Sequence, residues 1–274
     1  MTNPNGIEKT LYQWRDGGDT GFQLTSQEPS GVGGPSKKAW CGVGPWVQSP
    51  DVDEKDQFHY PLEVPYRVRC GSSTYYKYYT GGCVMWDPIA VFVLDGAKDK
   101  KVVETARHVR KALDTPQATD PAAPAGETKS IPGRYNRNDP TCDRGAYASG
   151  CLWRTTDNSL NETNRAEAQK ACRKVNGGDW RKPTSCDEYP MASTYQGVSR
   201  AGINYSVSLH DYDDNCRAGR RLKNFYVYNR LLDMDPYWVW ATLPGETFAG
   251  LEDIPPPTEE GPASCAVDEI NPTL

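Results

Sequence analysis

The chain has 274 residues, 37% of them hydrophobic and 24% charged, with a net charge of −5. That balance excludes a disordered protein, and no run of about 18 apolar residues is present to cross a membrane as a helix. Residues 1–138 hold 17 basic against 16 acidic side chains, residues 139–244 hold 14 against 13, and residues 245–274 hold none against seven. The body is therefore near neutral, the acidity belongs to a tail, and any phosphate-binding surface must be local. No basic stretch followed by an apolar stretch opens the chain, so its first residues do not predict a secretion signal.

Residues 1–87 are rich in glycine, proline and aromatics. Tyr66 to Cys70 alternates between apolar and polar, and Thr74 to Tyr79 does so more weakly, which predicts short strands between Gly-rich turns. The cluster Tyr75, Tyr76, Tyr78, Tyr79 is the type that stacks on bases or sugars. Half-buried sheet packing is the commoner use of such residues and is the reading adopted.

The pattern changes near residue 88. Ile89 to Leu94 is a continuous apolar run and predicts a buried strand. Residues 100–113 follow, with Val102, Val103, Ala106, Val109 and Leu113 at helical spacing, and Asp114-Thr115-Pro116 is the stop. His108 on this helix is expected to be a packed residue. Residues 115–138 read as a long loop, either a linker or an insertion within one domain. Cys142 and Cys151 bracket a short disulfide-loop candidate. A helix is predicted from Asn161 to Val175, ended by Asn176-Gly177-Gly178.

The stretch 185–190 reads as a turn carrying Asp187 and Glu188, and 203–209 as a returning strand. His210 to Asn215 reads as an exposed polar turn, followed by a helix over 216–232. On that helix Leu222, Phe225 and Tyr226 fall on one side; Arg217, Arg220, Arg221, Asn224 and Tyr228 fall on another. Residues 237–240 predict a last strand, and the Pro-rich acidic tail 245–274 reads as poorly ordered.

The nine cysteines form no CxxC and only three histidines occur, at 59, 108 and 210, which argues against a clustered zinc site. Nine dispersed cysteines fit a disulfide framework in an oxidising compartment, so a secreted protein is expected. The odd count leaves one thiol over, for which Cys265 in the tail is the candidate.

Two neighbouring carboxylates, Asp187 and Glu188, can supply a general base and a metal ligand. Asp213, Asp214 and Asn215 offer hard oxygen ligands suited to Mg²⁺ or a like cation. The arginine stripe Arg217, Arg220 and Arg221 is suited to phosphates. Together they describe a phosphodiesterase site: a metal on the leaving oxygen, a carboxylate activating water, and arginines on the substrate.

The segment from Ser185 to Gly197, SCDEYPMASTYQG, resembles the signature of the NucA/NucB secreted deoxyribonucleases, particularly actinobacterial members. The Val91–Val93 strand and the helix with His108-Val109 resemble the family's first strand and helix. Cys142 to Cys151 resembles its middle, and Asp214-Asn215, Gly219, Leu222, Phe225-Tyr226, Asn229-Arg230 and Asp233 to Val239 resemble its C-terminal part. The resemblance covers about residues 88–243.

It implies an α+β chain with a disulfide-stapled ββα-metal nuclease core, a β-rich N-terminal extension over 1–87, a nuclease domain over 88–244 and a tail from 245. It implies a metal-dependent, largely sequence-nonspecific DNA endonuclease using one divalent ion, Mg²⁺ or Mn²⁺. Asp187 and Glu188 take the place of the wider superfamily's base histidine, and Asn215 that of the metal-binding asparagine. Glu188 joins the metal ligands, Asn224 is a second polar helix position that helps hold the metal, and Gln196 joins the arginines as a substrate contact. Shorter members carry Asp-Arg-Asp-Glu where this chain has Ser185-Cys186-Asp187-Glu188, which leaves the division of labour between the two acids open. A Cys172–Cys186 disulfide is expected to hold that segment to the preceding helix. The expected partner is DNA, bound by a monomer. A toxin module with an immunity or inhibitor protein is a variant of this reading, and a non-catalytic adhesion or wall-binding protein on a nuclease-like scaffold is the alternative.

Overall fold

In the computed structural model, the described residues are 36–43, 46–47, 60–61, 66–73, 81–136, 138, 142, 150–181 and 183–246. The Tyr75–Tyr79 cluster, Cys265 and the tail beyond 246 lie outside them.

The apolar run near residue 90 becomes β6 (Ala90–Asp95). It pairs in parallel with β10 (Pro236–Thr242), and β10 pairs antiparallel with the two-residue β7 (Leu152–Trp153) on its other side. The last strand among the described residues is thus the central strand of its sheet, which is why six of its seven residues are buried. The parallel pairing requires a crossover, and α1 (Val103–Asp114) packs against both strands. Its buried face carries Thr105, Ala106, His108, Val109, Ala112 and Leu113.

α2 (Asn158–Asn176) starts three residues before the predicted helix because Asp157 caps it, its carboxylate accepting from the Ser159 and Leu160 backbone N–H groups. Gly177 ends it at φ 72°, the left-handed conformation that a side chain would strain.

Residues 185–190 are not a turn. β8 (Thr184–Tyr189) is a strand, paired antiparallel over its full length with β9 (Ser206–Asp211). His210 therefore sits within β9, not in an exposed turn, and is buried. α3 (Tyr212–Tyr228) follows at once, four residues earlier than predicted. Asp211 is its cap, accepting from Asp213 and Asp214 N–H, so Asp213 to Asn215 form the first helical turn instead of a loop. The main core joins Phe92, Leu94, Val109, Tyr189, Leu222, Tyr226 and Tyr237, and so unites β6 and α1 with the later elements. A second cluster on the other side of the β8–β9 pair joins Ala168 and Cys172 of α2 to Val207 and Leu209.

The described part of segment 115–138 packs against later elements. Val207 N–H donates to the Asp120 carbonyl at 2.8 Å, and Ser130 N–H to the Asn204 side chain at 2.7 Å. Buried Lys129 donates to Thr119 Oγ1 at 2.8 Å and to the Pro121 carbonyl at 2.9 Å, closing the loop on itself.

Toward the N-terminus, β1 (Ser36–Val43), β4 (Tyr66–Ser73) and β5 (Gly81–Met85) form an antiparallel sheet, and β2 (Trp46–Val47) pairs with β3 (Tyr60–Pro61). Cys70–Cys83 joins β4 to β5, Cys142–Cys151 closes a short loop, and Cys172–Cys186 ties α2 to β8. Cys216 is disulfide-bonded too. The chain is α+β, and no helix among the described residues is long and apolar enough to cross a membrane.

Candidate active site

Side chains alternate across a strand, so the β8–β9 pair has two differently furnished faces. Ser185, Asp187 and Tyr189 share one face with their cross-strand partners His210, Ser208 and Ser206. Thr184, Cys186 and Glu188 share the other with Asp211, Leu209 and Val207. The first face meets α1; the second meets α2 through the Cys172–Cys186 bond. Asp187 and Glu188, adjacent in sequence, point in opposite directions and do not meet over one substrate.

On the first face Asp187 lies between two imidazoles. His108 Nδ1, from α1, is 2.6 Å from Asp187 Oδ2. Its Nε2 is 2.7 Å from Ser206 Oγ. With the carboxylate ionised, Nδ1–H donates to Asp187, and the ring's other nitrogen pairs with the Ser206 hydroxyl. The connectivity is that of a Ser-His-Asp triad, but Ser206 is only 1% exposed, so its hydroxyl orients His108 and does not reach a substrate.

His210 Nε2 stands 3.4 Å from the same Asp187 oxygen and is buried without a hydrogen-bond partner among the described residues. The ligand atoms of His108, Asp187 and His210 all lie within 4.8 Å of one another.

The charges follow from this packing. Burial alone would raise the Asp187 carboxyl, but the His108 and His210 contacts outweigh it and hold the group at about 2. Burial likewise opposes a charged His210; the neighbouring Asp187, with Glu104 and Asp214 behind it, reverses that and raises its pKa above the usual 6.5. Glu188 is pushed up to about 8 by burial and then by the charge of Asp187, against the opposing pull of Arg165 and a hydrogen bond from Ala192 N–H. At neutral pH one acid of the adjacent pair is a carboxylate and the other is largely protonated.

The floor formed by His108, Ser206 and His210 opens into a cleft of about 310 Å³ between α1 and β9, whose walls include Glu104, Arg107, Lys111 and Asp120.

The other sequence-predicted residues are distributed as follows. Asn215 adjoins the site: its Nδ2 donates to Ser185 Oγ at 3.1 Å and to the Cys186 carbonyl at 3.0 Å. Asn224 is nine residues further along α3, about 13.5 Å in rise and half a turn around, so the two amides do not share a ligand. Asp214 is buried and caps α1, accepting from Glu104 N–H, Thr105 N–H and Thr105 Oγ1 at 2.8–3.0 Å. Gln196 uses both ends of its amide on β7, accepting from Trp153 N–H at 3.0 Å and donating to the Cys151 carbonyl at 3.1 Å. Arg221 is ion-paired with Asp99. Arg217 and Arg220 are half-buried on the same helix and are not part of the cleft.

His108 is packed and hydrogen-bonded, as expected, whereas His210 is buried in a strand and not exposed in a turn. The available signal for His108 was its place on the buried face of α1, between Thr105 and Ala112. For His210 it was the alternation of Ser206, Ser208 and His210, which continues the strand past residue 209.

The family model for Deoxyribonuclease NucA/NucB matches residues 124–240, a span that holds α2, β8, β9, α3 and most of β10. His108 precedes the matched span. No curated protein and no solved structure matches the chain.

Proposed function

We propose that the chain, whose residues 124–240 match the family model for Deoxyribonuclease NucA/NucB, is an extracellular, metal-dependent DNA endonuclease whose reacting centre is Asp187 with His108 and His210. The observation that carries this is the buried Asp187 carboxylate held between two imidazoles, His108 and His210, both of which line an open, partly cationic cleft. The order β8–β9–α3 supports a ββα nuclease core for this part of the chain.

In this reading the Asp187–His210 pair takes the proton from the attacking water. The His210 ring receives it, and the Asp187 carboxylate offsets the positive charge that forms on the ring. His108, fixed by Ser206, holds Asp187 in place from the other side. The donor set fits a divalent cation, because Asp187 and the carbonyl oxygen of Asn215 are hard ligands and the amide nitrogen of Asn215 is already tied to β8. Asp187 and Asn215 would hold Mg²⁺ or Mn²⁺, and the bound ion would stabilise charge on the phosphate and on the leaving oxygen. Sequence preference is expected to be low, since phosphate contacts carry no base information. The disulfides suit an oxidising, extracellular setting.

The test is nicking of supercoiled plasmid by the full chain. Activity should disappear with EDTA, return with Mg²⁺ or Mn²⁺, and be lost in Asp187→Asn. Full activity in excess chelator would sink the metal-dependent mechanism, and full activity of Asp187→Asn would move the reacting centre elsewhere.

A further inference from the structure

Charge pairing inside the cleft leaves two cations over. Glu104 Oε2 accepts from Asp211 N–H at 2.7 Å and lies 4.0 Å from His210 Nδ1. Asp120 carries its charge beside the buried Lys129 ammonium. Both acids of the cleft therefore have partners. Arg107 and Lys111 are exposed, line the same cleft, and make no side-chain hydrogen bond or ion pair with another described residue. Their neighbour Arg110, on another side of α1, is by contrast paired with Asp114 and Glu246.

At 100° per residue, Arg107, Lys111, Glu104 and His108 lie within about 100° of arc on α1. Arg107 and Lys111 stand one turn apart, about 6 Å in rise, on the rim directly above the His108 floor. This is a local cationic edge on a body whose net charge is close to zero, and it borders the cleft that His108 and His210 line.

We propose that Arg107 and Lys111 hold the DNA phosphates flanking the one at the Asp187–His210 centre, so that one strand runs along α1 across the cleft mouth. This assignment rests on the nuclease reading above. It gives α1, which precedes the matched span, two jobs: His108 inward toward Asp187 and the two cations outward toward the substrate. It also moves the phosphate grip from the arginines of α3, one of which is engaged by Asp99, to α1.

The experiment separates binding from cleavage. A fluorescein-labelled DNA duplex is titrated with the full chain in EDTA, and affinity by anisotropy is followed between about 50 and 200 mM salt. Each phosphate contact removed should lower the slope of log K against log salt by about 0.9. Arg107→Gln/Lys111→Gln should therefore lose about 1.8 of the wild-type slope, each single variant about half of that, and Lys174→Gln on α2 nothing. Melting curves should be unchanged, because both side chains are exposed. Wild-type binding with an unaltered slope in the double variant would overturn this assignment alone. Absence of salt-dependent binding by the wild type would overturn it together with the nuclease reading.

Discussion

Arg69 and Asp235, 166 positions apart in the chain, form a buried ion pair that fastens the N-terminal sheet to the turn before β10. Their side chains are 3% and 2% exposed. The Arg69 guanidinium also donates to the Arg230 carbonyl and lies 4.9 Å over the Trp86 ring, while Arg230 donates back to the Gly71 carbonyl at 2.9 Å. Asp235 further accepts from Leu232 N–H at 2.6 Å, fixing the turn that launches the central strand. Removing one partner leaves a buried charge uncompensated, which costs more than the pair contributes in net stability. Asp235→Ala should therefore lose about 3–5 kcal/mol in urea denaturation. A loss under about 1 kcal/mol would mean that the two parts are coupled more loosely than this contact implies.

The two faces of the β8–β9 pair predict unequal effects for adjacent acids. Asp187→Asn and His210→Gln should each lower the nicking rate by about 10²–10⁴-fold, the usual contribution of a general acid–base group. Glu188→Gln, on the α2 face, should change it less than about tenfold, because it acts only through packing and through its field on Asp187. Asn224→Ala should be near wild type. Rates and melting curves measured on the same preparations decide this, and a Glu188→Gln rate as low as that of Asp187→Asn would show that both faces serve the chemistry.

Glu188 also makes a pH prediction. Its folded pKa, about 8, lies above the ordinary 4.5, so the folded state holds its proton more tightly than the unfolded chain does. The stability this supplies is complete below pH 4.5 and is lost as pH rises through 8. Stability of the wild type should fall over that interval, and Glu188→Gln, which keeps a neutral side chain throughout, should flatten the fall. Urea midpoints at several pH values between these limits test it; parallel profiles for the two proteins would mean that Glu188 does not ionise in that range.

The Cys172–Cys186 bond anchors β8 to α2 across a separation of 14 residues. A loop of that size is worth about 3 kcal/mol when it is closed. Cys172→Ala/Cys186→Ala should lose that much stability, and should also slow cleavage, since Asp187 is the next residue along the strand. Unchanged stability in calorimetry would show that packing by Ala168, Val207 and Leu209 alone holds the strand.

Much of this protein can be read locally. Apolar spacing marks α1 and β6, Gly177 marks the end of α2, and the 185–197 stretch carries the family resemblance. These follow from periodicity and backbone preference, which act between residues a few positions apart. Reading 185–190 as a turn hid the strand parity that sends Asp187 and Glu188 to opposite faces. Tertiary structure alone decided which partners each side chain meets. His108 reaches Asp187 across 79 positions because α1 must cover the sheet that β6 builds with β10. Asp214 is spent on capping that helix, and Gln196 on holding β7. A sequence displays the donors and acceptors, but the packing of one helix face against one strand face selects which of them are consumed by the fold and which stay open to a substrate.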